Sequence, residues 1–273
     1  MPKRWIVAVI VCVACCVPGS NIRAQEDSVH RDIGSIIMSD ASVVLHDAGK
    51  VFCAPLHFNE RQWLVTGAIL AGTAALFTID ESRRSLAQNN HSRFGDDLFG
   101  FGHEYGRELY GLSASAGLYV GGIIFGAENL REMGLMLFES IAMAGAITSV
   151  LKSVIGRSRP YLEEGPTRFR GFQFTTETTS LPSGHTTVAF AVSSVLAGRI
   201  KNTFASIGLY AVATLTAVSR VYHDAHWVSD NFLAAAIGTC VGLALVDLHD
   251  TESESLSIHF MPNRVGVEVE WVF

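Results

Sequence analysis

The sequence predicts an all-α protein: a bundle of about six core helices followed by a short C-terminal β-hairpin. Three observations predict it. Of 273 residues, 49% are apolar and only 17% charged, where soluble domains usually carry about a quarter charged. Six apolar segments, each long enough for a helix, follow one another between polar connections. Only at the C-terminus does the apolar spacing become alternating.

The composition also excludes whole classes. A mean hydropathy of +0.30 excludes a disordered chain, which needs low hydrophobicity and high charge. The 25 glycines and 7 prolines show no three-residue period, which excludes collagen. A net charge of −6 supplies no global field toward nucleic acid, so no nucleic-acid partner is expected. An integral membrane protein or an unusually apolar envelope protein remains, and membrane association is the expectation. Nothing in the sequence sets an oligomeric state.

Residues 1–24 read as an export leader. Lys3 and Arg4 precede Trp5–Val17, a run about as long as a signal-peptide core and short for a membrane span. A cut is expected after Ala24, with an uncleaved or lipidated leader as the alternatives. Cys12, Cys15 and Cys16 lie in this leader. Cys53 and Cys240 are left, too few for a disulfide framework or a multi-cysteine zinc site, and are expected as buried free thiols, with a single bridge between them as the alternative.

Residues 25–61 form an N-terminal segment. Within it Ser39–Val51 is expected as an amphipathic helix, capped by Ser39 or Asp40, with Val43, Val44, Ala48 and Val51 at helical spacing. The helical domain follows over residues 62–250. Its apolar segments are Trp63–Ile79, Leu112–Gly126, Met133–Ile155, Thr186–Ile200, Phe204–Val221 and Asn231–Val246. Small residues such as Gly117, Gly121 and Gly122 favour close helix packing, in lipid or in a dense bundle. Asp80–Glu108, polar and dotted with glycine, is expected as a connection. So is Tyr161–Ser180, of a length that is often functional, and so is the short Tyr222–Asp230. Residues 251–273 are expected as the hairpin, with strands Leu256–Phe260 and Val265–Phe273 around Pro262-Asn263. If every apolar segment spanned a bilayer, an exported N-terminus would leave the chemistry facing the cytoplasm. Either one early segment does not span, with Leu112–Gly126, short and glycine-rich, as the candidate, or the domain is a soluble periplasmic bundle.

Three clusters carry chemistry. In the first, Lys152 and Arg159 lie seven residues apart, about two helical turns on one face, before Pro160 ends the helix. Two cations in an apolar setting need an anion, although basic residues also favour helix C-termini on dipole grounds. In the second, Pro182-Ser183-Gly184-His185 opens a helix. Ser183 can cap it, Gly184 admits close backbone approach, and the first N–H groups can face an anion. A capped helix start with an incidental His185 is the plainer alternative. In the third, Arg220 offers a fork of donors suited to phosphate. His226 and Asp230 are one helical turn apart, so the carboxylate can hold one imidazole nitrogen and leave the other basic. Metal binding by His223, Asp224 and His226 is the rival, and it lacks further ligands. Jointly the clusters fit phosphoryl transfer with no metal and no cofactor. Lys152, Arg159 and Arg220 neutralise the phosphate oxygens, one histidine attacks, and the other protonates the leaving oxygen.

The clusters follow the order K-x6-R-P, P-S-G-H and S-R-x5-H-x3-D. In this the chain resembles the type 2 phosphatidic acid phosphatase superfamily, over roughly Met133–Val246. The resemblance implies His226 as nucleophile forming a phosphohistidine, Asp230 orienting it, and His185 as general acid. It implies Lys152, Arg159, Ser183, Gly184 and Arg220 as phosphate ligands. Many members carry glycine two residues before the nucleophile. Asp224 stands there instead and adds negative charge beside the anion site.

The function expected is a phosphatase for phosphomonoesters or pyrophosphates, acting on a phosphorylated lipid or small phosphoester of the cell envelope. Vanadium-dependent haloperoxidases share the signature, with His226 then binding the metal, but their chains are usually longer. A non-catalytic anion- or phospholipid-binding module is the third reading. His57, His91, His103, His249 and His259 lie outside the clusters and read as surface or structural. Phe169, Phe172 and Phe174 read as local loop packing or lipid contacts, and Glu139 as pairing inside the bundle.

Overall fold

A computed structural model of the protein describes residues 33–255, with side chains to residue 251. The expected leader and both expected hairpin strands lie outside the described residues. Within them the chain forms nine helices: α1 Ile33–Cys53, α2 Glu60–Leu76, α3 Asp80–Gln88, α4 Arg93–Tyr105, α5 Glu108–Phe125, α6 Glu128–Ile155, α7 Gly184–Ile200, α8 Thr203–Tyr222 and α9 Val228–Ser255. Among the described residues there is no strand, only an isolated bridge between Arg157 and Phe169.

The six expected helices are α2 and α5 to α9, each containing most of its apolar run, with α9 extending nine residues past Val246. Local chemistry sets several ends. Asn59 and Gln62 make a reciprocal capping box that starts α2. Gly126 and Gly156, both left-handed, end α5 and α6. Three expectations are corrected. The N-terminal helix runs well beyond Ser39–Val51 in the upstream direction. Asp80–Glu108 is no open connection, because it holds α3, α4 and the start of α5. Residues 251–255 continue α9 and so do not belong to a hairpin. Cys53 and Cys240 are free as expected, but both are exposed on helix surfaces rather than buried.

The core surrounds α7, which is buried on nearly every side. Val188, Ala189, Val192, Val195 and Leu196 pack against Leu118, Met136, Leu137 and Ile141. A helix apolar all round belongs inside a bundle. Its buried hydroxyls are partnered: Ser193 bonds the Tyr105 hydroxyl at 2.9 Å and donates to the Leu209 carbonyl, as buried polar groups require.

Charge gathers at the ends of the bundle. Away from the phosphate motifs, Arg199 joins Asp250 at 3.0 Å and Glu132 at 3.2 Å. Nearby, His249 meets Asp47 at 3.1 Å and Glu139 at 3.0 Å, so Glu139 does pair within the bundle. Asp40 and Asp47, two turns apart on one face of α1, anchor that helix, with Asp40 accepting from Tyr119 and Arg131. Between the ends the outer surface is apolar: Val120, Ile124, Phe125, Val150, Phe204, Ile207 and Leu243 are all exposed.

Four helices are long and apolar enough to cross a membrane: Glu108–Phe125, Glu128–Ile155, Thr203–Tyr222 and Val228–Thr251. The pair α2–α3, bent by 57°, passes the same test together. Such helices, apolar outward as well as inward, support membrane association. Leu112–Gly126, expected as the short one, is part of an 18-residue helix that meets the span criterion. The 17-residue α7, wrapped by its neighbours, does not.

Candidate active site

The three motifs meet at one end of the bundle, because antiparallel helices alternate which terminus they present there. The C-terminal ends of α6 and α8 supply Lys152 and Arg220. The N-terminal ends of α7 and α9 supply Ser183, Gly184, His185 and Asp230. The backbone knits the motifs together: the Ser183 N–H donates to the Asp230 carbonyl at 3.2 Å. A Cβ on Gly184 would stand 4.0 Å from Lys152 Cε.

Arg159 reaches this site through the 157–180 loop. Gly156, at φ +62°, turns the chain out of α6, and a Cβ there would meet the Gly171 nitrogen at 2.7 Å. The loop then folds back. Ser158 N–H donates to the Arg168 carbonyl, Arg159 N–H to Glu177 and Ser180 N–H to Arg157. Arg159 Nε donates to the Thr176 carbonyl at 2.6 Å, which fixes the guanidinium at the mouth. Lys152 Nζ donates to the Thr179 carbonyl at 2.7 Å. Of the three loop aromatics, all exposed, Phe169 also packs locally against Phe77 and Arg157, and Phe172 and Phe174 are the more exposed.

Behind the motifs lies a buried ion cluster that the sequence did not reveal. Arg157, Asp80 and Asp230 are all fully buried. Arg157 donates to Asp230 at 2.5 Å and to Asp80 at 2.7 Å, and its guanidinium lies over Phe77, 4.4 Å from the ring centroid. Asp80 also accepts from the Ser229 N–H and hydroxyl, at 3.0 and 2.5 Å, capping α9 beside Asp230. Arg157 lies inside the first motif and Asp80 in a stretch without apolar periodicity, so pattern alone gave neither a role.

His226 is 3% exposed. Its Nδ1 lies 3.5 Å from Asp230 Oδ2 and 3.3 Å from Ser180 Oγ, and Ser180 donates its own hydrogen to Asp230 at 2.5 Å. Both neighbours of Nδ1 therefore act as acceptors. The proton sits on Nδ1, and Nε2 keeps its lone pair.

In the free site His226 is nonetheless less basic than an ordinary imidazole. Burial first, then Lys152, Arg159, Arg220 and His185, push the His226 pKa well below 6.5. His185 is likewise lowered, to about 3, by burial and then Arg220 and His103. Ser183 sits at the cap position of α7, but its hydroxyl makes no capping bond and instead accepts from Thr186 at 3.1 Å. The first N–H groups of α7 are thus left to other acceptors.

These shifts carry a sign. Both histidines bind protons more readily unfolded, near pH 6.5, than folded. Stability is therefore full above pH 6.5 and falls as the pH drops through the window toward about 3. Thermal melts in phosphate-free detergent should show this decline, and the double variant His185→Asn/His226→Asn should flatten it. An unchanged slope in the double variant would contradict the assignment.

Two residues differ from expectation. Asp224 lies in the left-handed region, at φ +55°, a conformation glycine adopts without cost and aspartate tolerates. Its charge is taken up by Arg84 in a two-pronged pair at 2.7 and 2.9 Å, so it is no free anion beside the candidate site. His103, read as surface or structural, stacks on His185 and bonds Arg220 at 2.6 Å. His223, Asp224 and His226 do not converge on a metal position, since His223 Nδ1 bonds the Ser219 carbonyl at 2.7 Å and Asp224 faces Arg84. Arg220 Nε is buried without a hydrogen-bond partner among the described residues, a donor suited to an anion that this site would bind.

Comparison with known proteins agrees with this arrangement. The PAP2 superfamily signature matches residues 134–254. A Porphyromonas gingivalis protein named lipid A 1-phosphatase is 34% identical over 117 residues, 41% of this chain and 23% of that protein. A Rhizobium etli protein of the same name is 31% identical over 111 residues, 39% of this chain and 46% of that protein. The chain thus spans less than half the length of these curated relatives. Two crystal structures resemble it with TM-scores of 0.49. Aquifex aeolicus LpxE is 20% identical, covering 62% of this chain and 95% of its own. A Bacillus subtilis transmembrane PAP2-type phosphatidylglycerolphosphate phosphatase is 22% identical, covering 81% and 96%. The three-part motif is complete and assembled at one end of the bundle, and over residues 134–254, the helices that carry it, this chain bears the PAP2 superfamily signature.

Proposed function

We propose that the protein is a metal-independent phosphatase that removes a phosphate from a phosphorylated lipid of the cell envelope through a phosphohistidine. The observation that carries the reading is the convergence of Lys152, Arg159 and Arg220 on His226, with Arg220 Nε left without an acceptor. His226 Nε2 attacks phosphorus while the bond to the leaving oxygen breaks. That oxygen takes a proton from His185. Water then attacks the phosphohistidine, the P–N bond breaks, and His185 recovers the water's proton. The low pKa of His226 keeps the nucleophile neutral. A bound phosphate dianion offsets the cations and raises the affinity of His185 for the proton it must deliver.

A lipid substrate is supported by the names of the relatives, which favour lipid A-type phosphates and a hydrolase over a haloperoxidase or a binding module. It is also supported by an apolar cavity of about 750 Å³ beside the catalytic turn, lined by Leu76, Leu86, Phe99, Val221 and Phe232. That size suits part of an acyl chain. With an exported leader the protein would act in the envelope.

Two tests follow. Activity should survive EDTA, because three fixed cations stand where a divalent metal would act. Loss in EDTA with recovery in Mg²⁺ would contradict this. Lys152→Ala, Arg159→Ala and Arg220→Ala should each weaken kcat/KM by roughly 1.5–3 kcal/mol, the worth of a charge-assisted hydrogen bond. Wild-type kinetics in all three would remove the site assignment.

A further inference from the structure

We propose that His103 is a positioning residue of this site: its Nδ1 lone pair holds the Arg220 guanidinium in place for phosphate, and its ring backs His185. The inference rests on the phosphate-binding reading of the site. His103 belongs to none of the three motifs and lies outside the stretch that matches the family signature.

The geometry fixes the chemistry. Arg220 NH1 lies 2.6 Å from His103 Nδ1. An arginine is always a donor, so Nδ1 must be the acceptor, the imidazole must be neutral, and Nε2 must carry its hydrogen. His103 is the side-chain acceptor found for Arg220 among the described residues. It therefore restricts the fork that would otherwise rotate about the end of α8. The His103 and His185 rings stack with centroids 4.8 Å apart and planes 19° from parallel. One side chain thus touches both a phosphate ligand and the general acid.

The sequence places it there through a close approach. α4 ends in His103-Glu104-Tyr105, and Gly106 leads into α5. A Cβ on Gly106 would lie 2.6 Å from the His185 carbonyl oxygen and 2.5 Å from Thr216 Cγ2. Only glycine lets this corner sit directly on the start of α7.

The bond also depends on protonation. Facing His103 are Arg220 from α8, His185 from α7, His223 from the turn after α8, Glu104 from its own helix and Arg107 from the α4–α5 corner. Burial, then Arg220, hold its pKa below 6.5, against a smaller opposing pull from Glu104. At neutral pH the acceptor is therefore present. A proton on Nδ1 would remove it and set a second cation against Arg220.

The test measures competitive inhibition by inorganic phosphate in the full-length protein. His103→Phe keeps a ring against His185 and removes the acceptor, whereas His103→Asn keeps an acceptor near the Nδ1 position and removes the ring. His103→Phe should raise the phosphate Ki about tenfold, the scale of one hydrogen bond to a charged group. His103→Asn should return it to within about threefold of wild type. In an Arg220→Ala background, His103→Phe should add nothing. A folded His103→Phe with wild-type Ki, or a His103→Asn as impaired as His103→Phe, would overturn the proposal. A pH series needs no Phe variant: wild-type Ki should weaken on acidification more steeply than that of His103→Asn, and parallel curves would count against the proposal. If Arg220→Ala itself leaves phosphate inhibition unchanged, the phosphate reading of the site fails, and this inference with it.

Discussion

Arg157→Ala is expected to destabilise the protein by about 3–5 kcal/mol, the range for breaking a buried ion pair. The reason is local. The substitution leaves Asp80 and Asp230, both fully buried, without the cation that they share. It also removes the guanidinium packed against Phe77 and Trp227. Arg157→Lys should rescue little, because a single ammonium cannot reproduce a fork that reaches Asp80, Asp230, Ser229 and the Pro166 carbonyl together. Thermal melts in detergent check this. A midpoint within a degree or two of wild type for Arg157→Ala would show that the cluster carries little of the stability.

How much of this was legible in the sequence follows from where each kind of information resides. The helices of the core announced themselves because each buries or exposes a long apolar run. The residues proposed to hold phosphate and both histidines stood out in the sequence because the motif spacing is local, within one helix end or one turn. What stayed hidden depends on contacts between distant segments. α3 is polar and nine residues long, too short to be stable alone. It is held by Asp80 on Ser229, by Arg84 on Asp224 and by Gln88 on the carbonyls of Val221 and Tyr222. These contacts are 133 to 149 residues away in sequence, beyond any periodicity. His103 was hidden for the same reason. A signal for α4 did exist: Ser92 caps it through the Gly95 N–H, but four glycines between residues 95 and 106 masked it. The protonation balance of His226 could not be read either, because it sums burial and the effects of Lys152, Arg159, Arg220 and His185 from four other segments.

His226→Ala should lower kcat by on the order of 10⁴ or more, as loss of a covalent nucleophile does. His185→Ala should depend on the substrate. An alkyl phosphate has a poor leaving oxygen that needs a proton, so the loss should be about 10²–10⁴, the usual contribution of general acid catalysis. p-Nitrophenyl phosphate leaves as a stable anion and should be hydrolysed by the same variant with a much smaller loss in the first step. Equal losses for both leaving groups would mean that His185 acts on something other than the departing oxygen.

The central claim is that His226 carries the phosphate in transit, and trapping that phosphate tests it most directly. Wild type, His185→Ala and His226→Ala would each be mixed with ³²P-labelled p-nitrophenyl phosphate and quenched in alkali, where a phosphohistidine survives. The account predicts label on wild type and more of it on His185→Ala, whose phosphoenzyme lacks the base that activates water. It predicts none on His226→Ala. Labelled protein from His226→Ala, or no label on any of the three during turnover, would contradict it.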